Sequence, residues 1–436
     1  MSTKRNKGKN LNDLLDLNRS AVLTYIVRHK NCTRTKLAHE TGLTQASITK
    51  IIHSLMEADA VHEIGVNNGK RGRHAVCLSF NYPKYKILAI RFAWDGIEMQ
   101  VYDFEGKTYG NYVMMNVATL SITNINETLN KLIENIERFR AEFPEIIAIG
   151  MAVLGPYYRD EGKIMLPPYS NDPTKRYYYP IRDQVKKRTA LPVFIEHEGD
   201  LGALAYSWFK PHAGSYSTIM NIIGNYGLGI GVVNNGEIYS GAINSACELS
   251  HITIDYDGRT CPTCGGKGCL SAYCSLQSME QIFTEKISSH PESSLYKKEK
   301  INSRDIFEAA LNGDTFATRF IYNTGYLLGD GIISLLHVYS PDLILISGSI
   351  VRVGSILLNG INDCLSDNIT NYSIMPTIEL IPPGTRLTLR GALVIAIKGV
   401  LASPTLYLSL NAISEGLLPE TDTDNTVNKA QSGSKS

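Results

Sequence analysis

No run of 18 apolar residues occurs in the 436-residue chain, so no segment reads as a membrane-spanning helix. The first ten residues, MSTKRNKGKN, lack the apolar block of a secretory signal. The expectation is a cytoplasmic protein with no membrane partner. Cysteine is sparse as well: there are 8, and five of them fall within residues 247–275. That clustering argues against a disulfide framework and fits a reducing compartment. Charge is low, at 19% of residues, and the formal net charge is only +1. At 43% hydrophobic, the chain has the composition of a globular protein, and its length predicts two or three domains.

The small net charge hides an asymmetry. Residues 1–83 carry 13 Lys+Arg against 6 Asp+Glu, whereas the remainder carries 30 against 36. A basic head on an acidic body suggests a polyanionic partner for the head. Residues 1–10 read as a disordered basic arm, and 11–83 read as a domain of helices and a hairpin. Thr33 opens a short helix, TRTKLAHETG, that Gly42 stops. Thr44 caps the next helix, in which Ile48, Ile51, Ile52 and Leu55 recur at the spacing of one buried face. The start of that helix presents Gln45, Ser47, Thr49 and Lys50, short polar groups and one cation of the kind a recognition helix offers to a major groove. Two strand-like runs then flank a turn bearing Lys70, Arg71 and Arg73. Helix, turn, helix and basic hairpin make a winged helix-turn-helix, whose expected partner is double-stranded DNA. The bland alternative is a small helical protein-interaction domain.

The densest chemistry lies in CELSHITIDYDGRTCPTCGGKGCLSAYCS, residues 247–275. Cys261 and Cys264 form a Cys-x-x-Cys knuckle, and the glycines after it let the chain return to bring in Cys269. With His251 they supply a full tetrahedral set for Zn²⁺, leaving no position for water, which reads as a structural site. Reactive thiols or a redox pair are the alternative. Cys247 and Cys274 flank the cluster as substitute ligands.

Glu248-x-x-His251 followed by this cysteine pattern resembles the signature of the ROK family of sugar-dependent repressors and sugar kinases. The stretches TRTKLAHETGLTQASITKIIHSLMEADAV and GKRGRHAVCLSFN are similar to the winged head of its repressors. The resemblance spans about residues 11–405. It implies an α/β fold of two ribonuclease-H-like (actin-like ATPase) subdomains behind a winged helix-turn-helix, with the large domain over 84–412 and a disordered tail at 413–436. It also implies a sugar or sugar-derivative effector held by Gly155, His197, Glu198, Glu248 and His251, with assembly as a homodimer or homotetramer.

This chain departs from the kinase pattern at several places. Arg91 stands where the kinases have the Asp that holds Mg²⁺, with Ala93 and Asp95 at the Gly and Thr of that loop. Here these three positions are expected to be ordinary strand residues. His197 and Glu198 replace the Asn and the catalytic Asp of the Glu-Asn-Asp-Ala-Asn motif, and Asp200 replaces its last Asn. Asn225 and Tyr226 replace the Gly-Thr of the second phosphate loop, so Gly227, Gly229 and Gly231 read as structural. Leu154, Ser271 and Ser347 replace a Pro, a Glu and a Gly. The expected function is therefore a sugar-responsive repressor of carbohydrate genes without enzymatic activity. An ATP-dependent sugar kinase retaining a DNA-binding head is the alternative, and a zinc-stabilised scaffold for a protein partner is a third.

Overall fold

A computed structural model describes residues 11–29, 32–67, 75–94, 96–117, 120–166, 175–210, 215–241, 248–369 and 375–408. The described chain forms two compact units. One comprises the chain to Asn81 together with the segment from Val400, and the other runs from Tyr82 to Gly399. The expected arm at 1–10, the tail at 413–436, Lys70, Arg71, Arg73, Asp95 and Cys247 lie outside the described residues.

In the first unit, α1 (Leu11–Arg28), β1 (Cys32–Thr33), α2 (Arg34–Thr41) and α3 (Gln45–Glu57) precede the antiparallel pair β2 (Val61–Asn67) and β3 (Ala75–Phe80). Local chemistry sets the turn between α2 and α3. Thr33 caps α2 by accepting from the Lys36 N–H, and Gly42 ends that helix at φ +69°, a conformation costly for any side chain with a Cβ. Thr44 caps α3 by accepting from the Ser47 N–H. Ile48, Ile51, Ile52 and Leu55 are all buried, as their spacing predicts. The three strands lie in the order β1-β3-β2.

The second unit contains two five-stranded sheets of the same plan. The first is built from β4 (Lys86–Ala93), β5 (Gly96–Asp103), β6 (Thr108–Met115), β7 (Ile146–Val153) and β11 (Val193–His197), with α4 (Ile125–Glu142) before β7. A small tyrosine-rich sheet, β8 (Tyr157–Tyr158), β9 (Lys163–Leu166) and β10 (Tyr177–Tyr179), and α5 (Ile181–Thr189) precede β11. The order β11-β7-β4-β5-β6 joins an antiparallel meander to two parallel strands. β4 and β7 are buried at every position; β7 reads as an unbroken apolar run, whereas β4 also buries Lys86 and Arg91.

After α6 (Glu198–Phe209), the same plan recurs with β12 (Thr218–Gly224), β13 (Leu228–Asn234) and β14 (Glu237–Ile238). Then follow α7 (Ser271–Cys274), α8 (Leu276–Ile287), α9 (Ser303–Leu311), α10 (Thr315–Tyr339), β15 (Leu343–Gly348), α11 (Gly354–Asn368) and β16 (Thr377–Leu380). The order is β14-β13-β12-β15-β16, again a meander joined to two parallel strands. One hydrophobic cluster lies at each sheet. The helix α12 (Leu387–Leu401) follows, and α13 (Thr405–Leu408) belongs to the first unit, where Tyr407 is buried. The expected large domain ran to residue 412; the observed grouping returns 400–408 to the first unit.

Candidate effector pocket and metal centre

Parallel strands place the loops at their carboxyl ends side by side, where α/β sheets hold ligands. β4, β7 and β11 end in Trp94, the Leu154-Gly155-Pro156 turn and His197, and all but Leu154 line a cavity of about 290 Å³. A short 3₁₀ turn, Leu249–His251, brings Glu248 and His251 to the same cavity. All five residues expected to contact an effector, Gly155, His197, Glu198, Glu248 and His251, therefore line one pocket. Gly155 sits against both His197 and Glu248. A Cβ there would come within 2.8 Å of His197 Nε2 and 3.4 Å of Glu248 Oε1.

Glu198 does not stand alone in this wall. Its Oε2 accepts from Arg91 Nε at 3.1 Å, while Arg91 Nη1 donates to Glu98 Oε1 at 2.8 Å. The reading of Arg91 as an ordinary strand residue is corrected here. It is a buried guanidinium, 5% exposed, held by two carboxylates. Its fork geometry suits such bridging, and its positive charge makes it no ligand for a cation. Ala93 is an ordinary buried strand residue.

Behind the pocket, Glu196 accepts from the His197 backbone N–H at 2.8 Å and from Arg159 Nε at 2.6 Å. Arg159 Nη2 lies 3.8 Å from Asp200 Oδ2. Asp200 is fully enclosed, and its Oδ1 has no hydrogen-bond partner. Burial first, and then the charge of Glu196, hold its carboxyl well above the usual range, so it favours the protonated form. Asp200 lies on α6, which runs directly against β13. A Cβ on Gly231 would fall 2.3 Å from the Asp200 backbone nitrogen. That contact explains one glycine of the former phosphate loop as packing. Gly227, by contrast, borders the pocket and has open space around it.

The expected metal ligands form one cluster: a donor atom from each of His251, Cys261, Cys264 and Cys269 lies within 4.8 Å of the others. Cys264 Sγ and Cys269 Sγ are 3.5 Å apart, as are Cys261 Sγ and His251 Nδ1. Tetrahedral Zn²⁺ with Zn–S bonds of about 2.3 Å requires sulfurs roughly 3.8 Å apart, so the donors fit that ion. Their electrostatics agree. Burial and the neighbouring thiols push Cys269 up to about 12, a proton affinity that a divalent cation inverts.

The loop geometry depends on Gly268, at φ +65°, where a Cβ would collide with the Asp255 carbonyl. Gly266 N–H donates to Cys264 Sγ at 3.3 Å, and a two-pronged Arg259–Glu285 ion pair ties the loop to α8. Cys274 is no substitute ligand: it is buried, with its thiol turned to the Thr324 carbonyl at 3.7 Å. The ring of His251 thus has one nitrogen in the thiol cluster while the residue also borders the pocket.

Trp94, Tyr226, Ser250, Ser271 and Gln277 also line the pocket, and sequence reasoning had not assigned them to it. Ser271 stands where the family pattern has a glutamate, so a shorter hydroxyl replaces a carboxylate on that wall. The apolar face of Trp94, one of only two tryptophans, is the kind of surface that packs against a sugar ring.

The expected DNA-contacting residues divide by role. Thr44 is the α3 cap, with its hydroxyl 3.0 Å from that of half-buried Ser47. Thr49 donates its hydroxyl to the Gln45 carbonyl at 2.9 Å. Gln45, Thr49 and Lys50 are exposed along the outer face of α3. The strands of the hairpin are described, but its basic tip is not.

Two similar sheets with the effector-type pocket and the His/Cys₃ cluster define a ROK protein. The ROK family model matches residues 88–398, and the chain belongs to that family. Among known proteins, the xylose repressor of Bacillus subtilis (strain 168) is 27% identical over 370 residues, covering 83% of this chain and 91% of its own length. A crystal structure of a ROK family transcriptional regulator, a homolog of the E. coli MLC protein, matches with a TM-score of 0.74 and 27% identity, covering 93% of this chain and all of that one. The glucokinase of Halalkalibacterium halodurans is 30% identical over 246 residues, covering only 56% of this chain and 72% of its own. The match to the xylose repressor extends over most of both chains, whereas the match to the glucokinase covers little more than half of this one. Among the described residues, no helix is long and apolar enough to cross a membrane.

Proposed function

We propose that the protein is a cytoplasmic repressor of carbohydrate uptake or metabolism genes, and that a sugar or sugar derivative in the Glu248 pocket changes its operator affinity. The observation that carries this reading is the convergence of Gly155, His197, Glu198, Glu248 and His251 on one cavity beside the thiol cluster. Two carboxylates that accept and two imidazoles that donate or accept suit the hydroxyls of a polyol. Gly155 leaves room for the ligand where any side chain would meet His197. Zn²⁺ held by His251, Cys261, Cys264 and Cys269 would stabilise the loop that carries this wall.

In the head, exposed Gln45, Thr49 and Lys50 would meet the major groove, with Ser47 at the helix start and Thr44 holding the cap. Lys70, Arg71 and Arg73 would contact phosphates from the wing. A single small head reads a short half-site, so the reading includes a homodimer, or a homotetramer built from it, on a two-fold operator.

The similarity to a glucokinase gives the kinase reading a specific hearing. Phosphoryl transfer relies on positioning and on neutralising charge at the transferred group. Here a cation, Arg91, occupies the metal-binding place, and it holds Glu198 where a catalytic base would need to be free. The reading is therefore of a binder without transferase activity.

A thermal-shift panel of sugars and sugar phosphates tests this, because a true ligand stabilises by mass action. At a ligand concentration of about 100 times Kd, a stabilisation of about 2.7 kcal/mol is expected. Glu248→Ala should abolish that shift while leaving the unliganded midpoint nearly unchanged. An equal shift in Glu248→Ala places the effector elsewhere.

A further inference from the structure

The effector pocket has two unlike ends. At one, Gly155 packs against His197 and Glu248, so closely that a Cβ there would come within 2.8 Å of the imidazole. At the other, Gly227 lines the same cavity, and a Cβ on it would meet nothing within 4 Å. This open end is edged by Tyr226, 38% exposed, and by half-buried Gln277. The whole cavity, about 290 Å³, approaches the roughly 300 Å³ at which sites begin to enclose drug-sized ligands. One sugar ring held at the narrow end leaves the open end unfilled.

The open end is also firmly built. Tyr226 lies in the turn between β12 and β13, which the Asn225 N–H closes by donating to the Gly227 carbonyl at 2.9 Å. The Ser349 N–H, just past β15, donates to Asn225 Oδ1 at 2.9 Å. From the start of α8, the Leu276 and Gln277 N–H groups donate to the Asn225 and Tyr226 carbonyls at 3.1 and 3.2 Å. Little backbone is left to order when a ligand arrives. The side chains, by contrast, are available: among the described residues, neither the Tyr226 hydroxyl nor the Gln277 amide has a hydrogen-bond partner. The same replacement that removes the threonine of the phosphate loop thus supplies an aromatic ring with a polar tip at the pocket's edge.

Charge narrows the ligand further. Two carboxylates, Glu198 and Glu248, line the cavity, and among the described residues no lysine or arginine does. The start of α8 offers no anion site either. Its Leu276 and Gln277 amides are engaged by the turn, and the Ser278 amide donates to the Ser275 hydroxyl at 3.2 Å. The other helix at the pocket, α6, begins with Glu198 itself. A phosphate group here would meet negative charge without a lining cation to offset it.

We propose that the effector is an uncharged disaccharide. Its first ring would lie among His197, Glu248 and His251, and its second against the Tyr226 ring, with the tyrosine hydroxyl and the Gln277 amide taking its hydroxyls. The proposal rests on the reading of the Glu248 cavity as the effector pocket and names the ligand class within it.

The test is calorimetric titration of the full chain with glucose, galactose, xylose and glucose 6-phosphate, and with the disaccharides maltose, cellobiose, melibiose, lactose and xylobiose. At least one disaccharide should bind about tenfold more tightly than its component sugars, the gain of one aromatic contact. Glucose 6-phosphate should bind no better than glucose. Tyr226→Ala should weaken the preferred disaccharide about tenfold and its component sugars less than twofold, whereas Tyr226→Phe should keep most of the affinity because the ring remains. Glu248→Ala should weaken both classes, and circular dichroism checks that each variant is folded. A component sugar that binds as tightly as its disaccharide, tighter binding of the phosphate than of glucose, or equal losses for both classes in Tyr226→Ala would overturn the proposal while the pocket reading stands. Absence of binding by every sugar, or affinity untouched by Glu248→Ala, would overturn the pocket reading and the proposal with it.

Discussion

Arg91 and Asp200 show how far one side chain can redirect a site. Arg91 ties β4 to Glu98, seven residues away, and to Glu198, 107 residues away. Its unsuitability for Mg²⁺ was legible from residue type alone. Its partners were not, because pairing over such a separation is a product of tertiary folding and leaves no local spacing. Asp200 carries a testable cost. Its folded carboxyl binds a proton more tightly than the unfolded chain does, so its contribution is complete below the unfolded carboxyl range near pH 4 and is lost as pH rises. Asp200→Asn removes that penalty. The variant should melt about 2–4 °C above wild type at neutral pH, with the gain shrinking as pH falls toward 4. A gain that grows on acidification would show that the carboxylate is ionised in the folded protein. Glu248 and His251 were legible because three residues in one turn suffice to place them together. Trp94 and Tyr226 were not, since nothing near them in the chain marks the cavity they border.

At the scale of elements, the cysteine loop and α3 were the most legible parts. The loop's spacing and glycines encode a local shape, and α3 shows a cap, a buried isoleucine face and a polar face within thirteen residues. The cap also explains why Thr44 and Ser47 contribute less free hydrogen-bonding surface than their polarity suggested. Replacing the metal with Co²⁺ should give the visible absorption of a tetrahedral, thiolate-rich site. About one equivalent of metal per chain is expected, and Cys264→Ser should weaken the spectrum and lower the effector-induced thermal shift together. Protein purified without chelator and found free of metal would contradict this assignment.

In the head, Arg71→Ala or Arg73→Ala should reduce the slope of log affinity against log salt by about one unit per lost phosphate contact. Gln45→Ala should instead change sequence preference at a similar salt slope. A Gln45 variant that alters only the salt dependence would remove α3 from base recognition.

Across the whole molecule, the duplicated sheet plan followed from resemblance more than from periodicity. Buried runs such as β4 and β7 mark central strands but do not state their order. The return of residues 400–408 to the first unit was illegible for a similar reason: α12 runs unbroken through Gly399, so the helical pattern announces no change of neighbourhood at Val400.

The central claim is that one chain joins a sugar pocket to DNA recognition without phosphoryl transfer. Fluorescence anisotropy of full-length protein on DNA from its own genomic neighbourhood tests it most directly, with and without the sugar that produces the thermal shift, and with ATP turnover followed in the same samples. Wild type should bind at low salt, and the sugar should change its affinity about tenfold, a coupling of about 1.4 kcal/mol. Glu248→Ala should bind DNA equally well and ignore the sugar, and neither protein should consume ATP. No DNA binding at low salt, or sugar-dependent ATP consumption by wild type, would contradict the account.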